Sequence, residues 1–207
     1  MDQGQAHDIS ANVAGSDALP VYAYKASLMG APWEFRLDPD RLVWIIGRRQ
    51  GEIFYRDIQR VRLSYRPATM QTYRFIAEIW SPGAPKLTIA STSWHGIAEQ
   101  RRQDQPYRDF IVSLHRRIAA AKASPVLQAG THPLLYWPGV VILGLIAIGI
   151  VVLLISALRQ GSWSATFFLA GFFALLLWQI GGFFRRNQPQ RYDASAVPEK
   201  ILPKLKS

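Results

Sequence analysis

The sequence predicts an α+β protein: a curved antiparallel β-sheet or partly open barrel closed by one C-terminal helix, then an all-α two-helix transmembrane hairpin. Three observations carry this prediction. Two long uncharged runs lie near the C-terminus, the region before them alternates apolar and polar residues with a period of two, and one stretch in between switches to a helical period. The 207 residues leave room for one domain of ordinary size and an accessory segment. Hydrophobic residues make up 49% and charged residues 18%, a balance that supports a folded core. Lys and Arg number 24 against 14 Asp and Glu, and the net charge of +10 points to an anionic partner. The absence of cysteine excludes disulfides, thiolate metal sites and cysteine nucleophiles.

The uncharged runs are Leu134 to Leu158, 25 residues, and Trp163 to Phe184, 22 residues. About 20 apolar residues cross a bilayer as a helix, so each is long enough. Buried helices of water-soluble proteins keep a polar face, and these runs keep none. The joint Arg159-Gln160-Gly161-Ser162 turns between antiparallel helices and holds no domain on the far side. Orientation follows from flanking charge. Arg116, Arg117 and Lys122 precede the hairpin, Arg185, Arg186, Arg191, Lys200, Lys204 and Lys206 follow it, and the turn carries Arg159 alone. The expectation is a multi-pass protein of the cytoplasmic (inner) membrane with both termini in the cytoplasm. Tyr136, Trp137 and Trp163 stand where aromatic belts form. Ala170, Gly171 and Ala174 offer a small-residue stripe for helix contact. Neither run contains an ionisable residue, which argues against an ion pathway through this chain alone.

Residues 1–21 carry Asp2, Asp8 and Asp17 and no base, so a flexible acidic arm is expected there rather than a signal peptide. Residues 22–133 form the expected cytoplasmic domain with its linker, holding 17 basic and 9 acidic residues. Phe35 and Leu37 alternate with polar neighbours before the turn Asp38-Pro39-Asp40. Leu42 to Ile46 reads as a strand, followed by Gly47-Arg48-Arg49-Gln50-Gly51 as a hairpin loop. Val61, Leu63 and Tyr65 then point one way while Arg60, Arg62, Ser64 and Arg66 point the other. Tyr73, Phe75, Ala77 and Ile79 make another strand, and Leu87 and Ile89 begin the next. Tyr107, Phe110, Ile111, Leu114 and Ile118 recur at intervals of three and four, the mark of the closing helix. Residues 22–130 are expected to fold without the hairpin. Residues 185–207 read as a basic tail lying along anionic headgroups, with Val197 to Pro203 as a stretch that alternatively docks on the domain.

An antiparallel sheet capped by one C-terminal helix is the architecture of pleckstrin-homology-like (PH-like) domains, and local segments resemble bacterial members of that family. Phe35-Arg36-Leu37-Asp38 resembles the lead of their first hairpin, and Tyr55-Arg56-Asp57-Ile58-Gln59-Arg60-Val61 the segment entering their middle strands. Tyr107-Arg108-Asp109-Phe110 with Leu114-His115 is similar to the start of their closing helix. The resemblance covers about half the chain, and it implies a binding or assembly module joined to membrane helices.

Chemistry-bearing motifs are sparse. His7, His95, His115 and His132 are scattered without metal-ligand spacing, and His115 reads as a helix-end or partly buried residue. Asp38 and Asp40 read as turn residues. No phosphate-binding loop or nucleophile elbow occurs, and no catalytic residue, cofactor or metal is assigned. The basic residues have a direction. Arg48, Arg49, Arg60, Arg62 and Arg66 are candidate contacts for anionic headgroups, because guanidinium groups fork onto phosphate. Arg185, Arg186 and Arg191 are juxtamembrane bases. The alternative is a solvated face whose charge follows the positive-inside bias. Nucleic acid is disfavoured as a partner, since Tyr65 points inward and a tethered domain meets lipid first. The expected function is a noncatalytic membrane-anchored binding or scaffolding module. Two alternatives stay open: a small accessory or assembly subunit of a larger membrane protein complex, with other membrane subunits or further copies of itself as partners, and an unrecognised enzyme acting on membrane lipids.

Overall fold

Strand formation begins at Val21, inside the segment expected to be a flexible arm. The computed structural model describes residues 19–67, 73–96 and 99–204; residues 1–18 of the expected arm and Lys206 lie outside the described residues. Strands β1 (Val21–Tyr24), β2 (Trp33–Leu37), β3 (Arg41–Ile46) and β4 (Arg49–Phe54) form an antiparallel four-stranded meander. Alternation sends Tyr22, Tyr24, Phe35, Leu37, Leu42, Trp44 and Ile53 inward. The β3–β4 turn is shorter than the sequence suggests. Gly47 at φ +62° and Arg48 suffice, with the positive φ at the first central position as in a II′ hairpin turn. Arg49, Gln50 and Gly51 therefore lie in β4, paired with Ile46, Ile45 and Trp44.

A second sheet is built on β5 (Arg60–Pro67), β6 (Tyr73–Trp80) and β7 (Leu87–Ala90), all antiparallel, with Val61, Leu63, Phe75, Ala77, Ile79, Leu87 and Ile89 facing the core. A small ladder of β8 (Thr92–Trp94) and β9 (Gln100–Arg102) leads into helix α1 (Asp104–Ala120). Tyr107, Phe110, Ile111, Leu114 and Ile118 on α1 are buried, as their spacing predicts. After the helix, β10 (Val126–Ala129) runs parallel to β5. This departs from the expected all-antiparallel order. The long connection from β5 to β10, which runs through β6 to β9 and α1, lets the chain return in the same direction, as a tight turn cannot. The described strands form these three separate ladders and no closed barrel.

The chain then leaves the domain as α2 (Pro133–Arg159) and α3 (Trp163–Arg186), joined through Gly161 at φ +68°. Both helices are long and apolar enough to cross a membrane. They are not core helices: Leu134 is 78% exposed and Trp178 80%. Among the less exposed positions of α2, Val140, Leu143, Ala147, Ile150, Leu154 and Ala157 are spaced three and four apart, and Leu169, Phe173 and Leu176 match them on α3. That spacing gives the shallow crossing of helices packed side by side. Ala170, Gly171 and Ala174 instead lie on the exposed face, and a Cβ at Gly171 would meet nothing within 4 Å. The small-residue stripe does not make the hairpin contact.

The C-terminal segment rejoins the domain instead of lying along headgroups. Strand β11 (Gln190–Arg191) pairs with β10, giving the order β11-β10-β5-β6-β7. Ile201 and Leu202 are buried in the shared core, and Arg108 on α1 donates to the Pro203 carbonyl and the Glu199 carboxylate. Burying each aliphatic side chain stabilises by about 1.5–3 kcal/mol, which favours docking over an exposed tail. The hairpin is thus an excursion from within the sheet domain.

Candidate functional site

The period of two that fills the core from one face of β5 and β6 sends their alternate residues to the outer face. The register places Arg191, Gln128, Arg62, Glu78 and Thr88 in one row across the five strands. Arg62 Nη2 donates to Gln128 Oε1 at 3.1 Å. The Arg60 and Arg62 guanidinium carbons lie 5.7 and 5.4 Å from the Trp80 ring, and Lys86 Nζ lies 5.9 Å from it, so one indole carries three cations. Partial burial draws Arg62 below the ordinary arginine range, Glu78 opposes the shift, and Arg60 and Arg66 add to it. It stays cationic, since arginine does not lose its proton in proteins.

Two clefts of about 280 Å³ each open on this face. One brings Arg62 and Arg191 together around Gln128, beside Gly130, Thr131 and the first residue of α2, Pro133. The other runs past Arg66 towards Lys86 and Trp33. Arg48 and Arg49 line neither cleft; they are exposed on the other sheet, so the candidate arginines do not form one cluster. Arg185 is exposed, while the Arg186 guanidinium carbon sits 5.1 Å from the Tyr65 ring.

Asn187 fixes the domain to the hairpin. It is fully buried; its Oδ1 accepts from the Tyr65 amide at 3.1 Å and its Nδ2 donates to the Phe183 carbonyl at 3.2 Å. Its carbonyl accepts from Thr131 N at 3.0 Å, and Gly130 N donates to the Leu63 carbonyl at 2.8 Å. Gly130 adopts φ +88°, and a Cβ there would stand 2.4 Å from the Asn187 oxygen, so glycine is required. The outgoing and returning chains are therefore pinned together on β5.

His115 is buried rather than at a helix margin, and it ties the returning segment to α1. Its Nδ1 lies 2.7 Å from the Ile111 carbonyl and its Nε2 2.9 Å from the Tyr192 hydroxyl. A carbonyl only accepts, so Nδ1 carries the hydrogen and the tyrosine donates to Nε2. Burial pushes the His115 pKa down, against the Ile111 hydrogen bond. The unfolded chain then binds the proton more readily, so stability is present above the ordinary histidine value of about 6.5 and is lost as pH falls below it. The melting temperature should drop between pH 7 and pH 5, and His115→Leu should flatten that slope. An unchanged slope in the variant would remove His115 as its source.

Gln128, Arg74 and Lys86 escaped the sequence reading, although the period that placed Tyr73, Phe75 and Ala77 inward also turns Arg74 and Glu78 outward. Asn187 carries no sequence signal. Comparison with protein-family models, curated proteins and solved structures returns no match.

Proposed function

We propose that the chain is a noncatalytic membrane-anchored binding or scaffolding module, in which a cytoplasmic PH-like domain is held against anionic headgroups of the inner membrane. The observation that carries this reading is the Asn187–Gly130 joint, which sets the Arg62–Arg191 cleft beside the start of α2. A basic sheet face held at a helix end meets the headgroup layer, where each base contributes about 1 kcal/mol near an anionic surface. The PH-like reading is supported by two sheets sharing one core with α1. Cytoplasmic termini are supported by the bases that flank the hairpin on its domain side.

Lipid retention tests the function. The full chain, released from mixed micelles of phosphatidylcholine and phosphatidylglycerol into a mass spectrometer, should carry adducts enriched in phosphatidylglycerol. Arg60→Glu with Arg62→Glu should reduce that enrichment. Arg48→Lys with Arg49→Lys should leave it unchanged, because an exposed turn without a cleft offers charge and no convergent fork. Adducts in the bulk lipid ratio would overturn the reading. For topology, a reporter that fluoresces only in the cytoplasm should be bright when fused after Ser207; a dark reporter there, with an active exported one, would reverse it.

A further inference from the structure

The second cleft concentrates uncompensated positive charge. Lys25, Arg66, Arg74 and Lys86 line it against one carboxylate, Glu78. That carboxylate is buried and engaged, with Lys86 Nζ at 3.0 Å and Arg66 Nη2 at 4.0 Å. Arg66 and Arg74 stand directly opposite each other on β5 and β6, and like charges so paired destabilise a sheet. Among the described residues Arg74 forms no ion pair, and its Nε is buried without a hydrogen-bond partner. Trp33 and Trp94 complete the walls. The fold thus carries a repulsive pair along the wall of an open groove, and an anion bound between the two guanidinium groups would relieve it.

We propose that this groove is a specific binding site for a phosphate monoester. The proposal rests on the reading of the domain as a headgroup-facing module and names the chemistry that one of its clefts selects. A monoester carries a charge of about −1.5 to −2 at neutral pH and three acceptor oxygens. It matches four cations of which one carboxylate offsets part, and two forked donors converge on its oxygens. A phosphodiester, with one charge and two free oxygens, satisfies the groove only in part. The groove starts at the end of β5 nearest the hairpin, since Arg66 follows Tyr65, whose ring lies under Arg186 at the end of α3. A lipid headgroup ending in a phosphate monoester and a soluble phosphate monoester share this chemistry.

The test uses the full chain in neutral detergent at physiological ionic strength, titrated calorimetrically with dihexanoyl phosphatidate, glycerol 3-phosphate and dihexanoyl phosphatidylglycerol. Phosphatidate should bind at one per chain and at least tenfold more tightly than phosphatidylglycerol. Arg66→Lys with Arg74→Lys keeps the charge and loses both forks, and should weaken monoester binding at least tenfold. Arg48→Lys with Arg49→Lys, exposed on the other sheet and lining neither cleft, should bind as the parent does. Where the double lysine variant melts abnormally, the exposed Lys86→Gln substitution replaces it, with a loss of threefold or more expected. Glycerol 3-phosphate within threefold of phosphatidate assigns the site to soluble monoesters, and a tenfold weaker value assigns it to lipid. Equal, salt-dependent binding of phosphatidate and phosphatidylglycerol, or parental affinity in the lysine variant, overturns the groove and leaves the membrane-surface module standing. No binding of either lipid removes both.

Discussion

Removing residues 133–186 and joining His132 to Asn187 through a short glycine-containing turn should convert this membrane protein into a water-soluble domain. The ends to be joined are already adjacent, with Thr131 N donating to the Asn187 carbonyl at 3.0 Å. Because β10 and β11 are antiparallel neighbours, the deletion turns them into a β-hairpin whose loop keeps residues 130–132 and 187–189 around the inserted turn. The product should stay monodisperse without detergent, show a strand-dominated circular dichroism spectrum and melt cooperatively. A fragment of residues 22–130 should fare far worse, contrary to the expectation from sequence, because it lacks β11, Ile201 and Leu202. Losing the burial of two aliphatic side chains costs about 3–6 kcal/mol, a large share of a domain's total of about 5–15 kcal/mol. Equal melting temperatures for the two products would show that the returning segment adds nothing to the fold.

Leu114→Asp should abolish cooperative unfolding altogether. Leu114 is fully buried on the face of α1 that closes the core. An unpaired carboxylate there costs several kcal/mol, either as a buried charge or through the proton it must take up. Arg116→Asp, two residues on and exposed, is the control and should change stability by no more than about 0.5 kcal/mol. A Leu114→Asp protein that melts like its parent would mean that α1 is not packed against the sheets.

What could be read from sequence was whatever the local period determines. The hairpin, α1, β3, β5 and β6 carry long, consistent patterns, and their residues lie close to where those patterns put them. The misreadings fall where a short segment is recruited by a distant partner. Val-Leu-Gln-Ala in β10 and Gln-Arg in β11 are too short to show a period, and they become strands only because β5 offers an unpaired edge. Val21 gave no sign of pairing with Arg36 before the meander was known. The docked Ile201 and Leu202 sit between prolines among charged residues, a composition that resembles an exposed tail. Of the candidate arginines, period alone set Arg60, Arg62 and Arg66 on one face. Arg191 joined Arg62 through long-range pairing, and Arg48 and Arg49 went to another sheet because β3 and β4 turn on themselves.

The return of the chain after the hairpin also orders events during synthesis. The sheets, α1 and β10 leave the ribosome first, but the core they share lacks Ile201 and Leu202 until both membrane helices have been made. At about 5–20 residues per second, the interval from Gly130 to Pro203 lasts roughly 4–15 s. During it, the part of the core that Ile201 and Leu202 fill stays unfinished. Completion of the shared core therefore waits until both helices have been synthesised, because the side chains that close it come last in the chain.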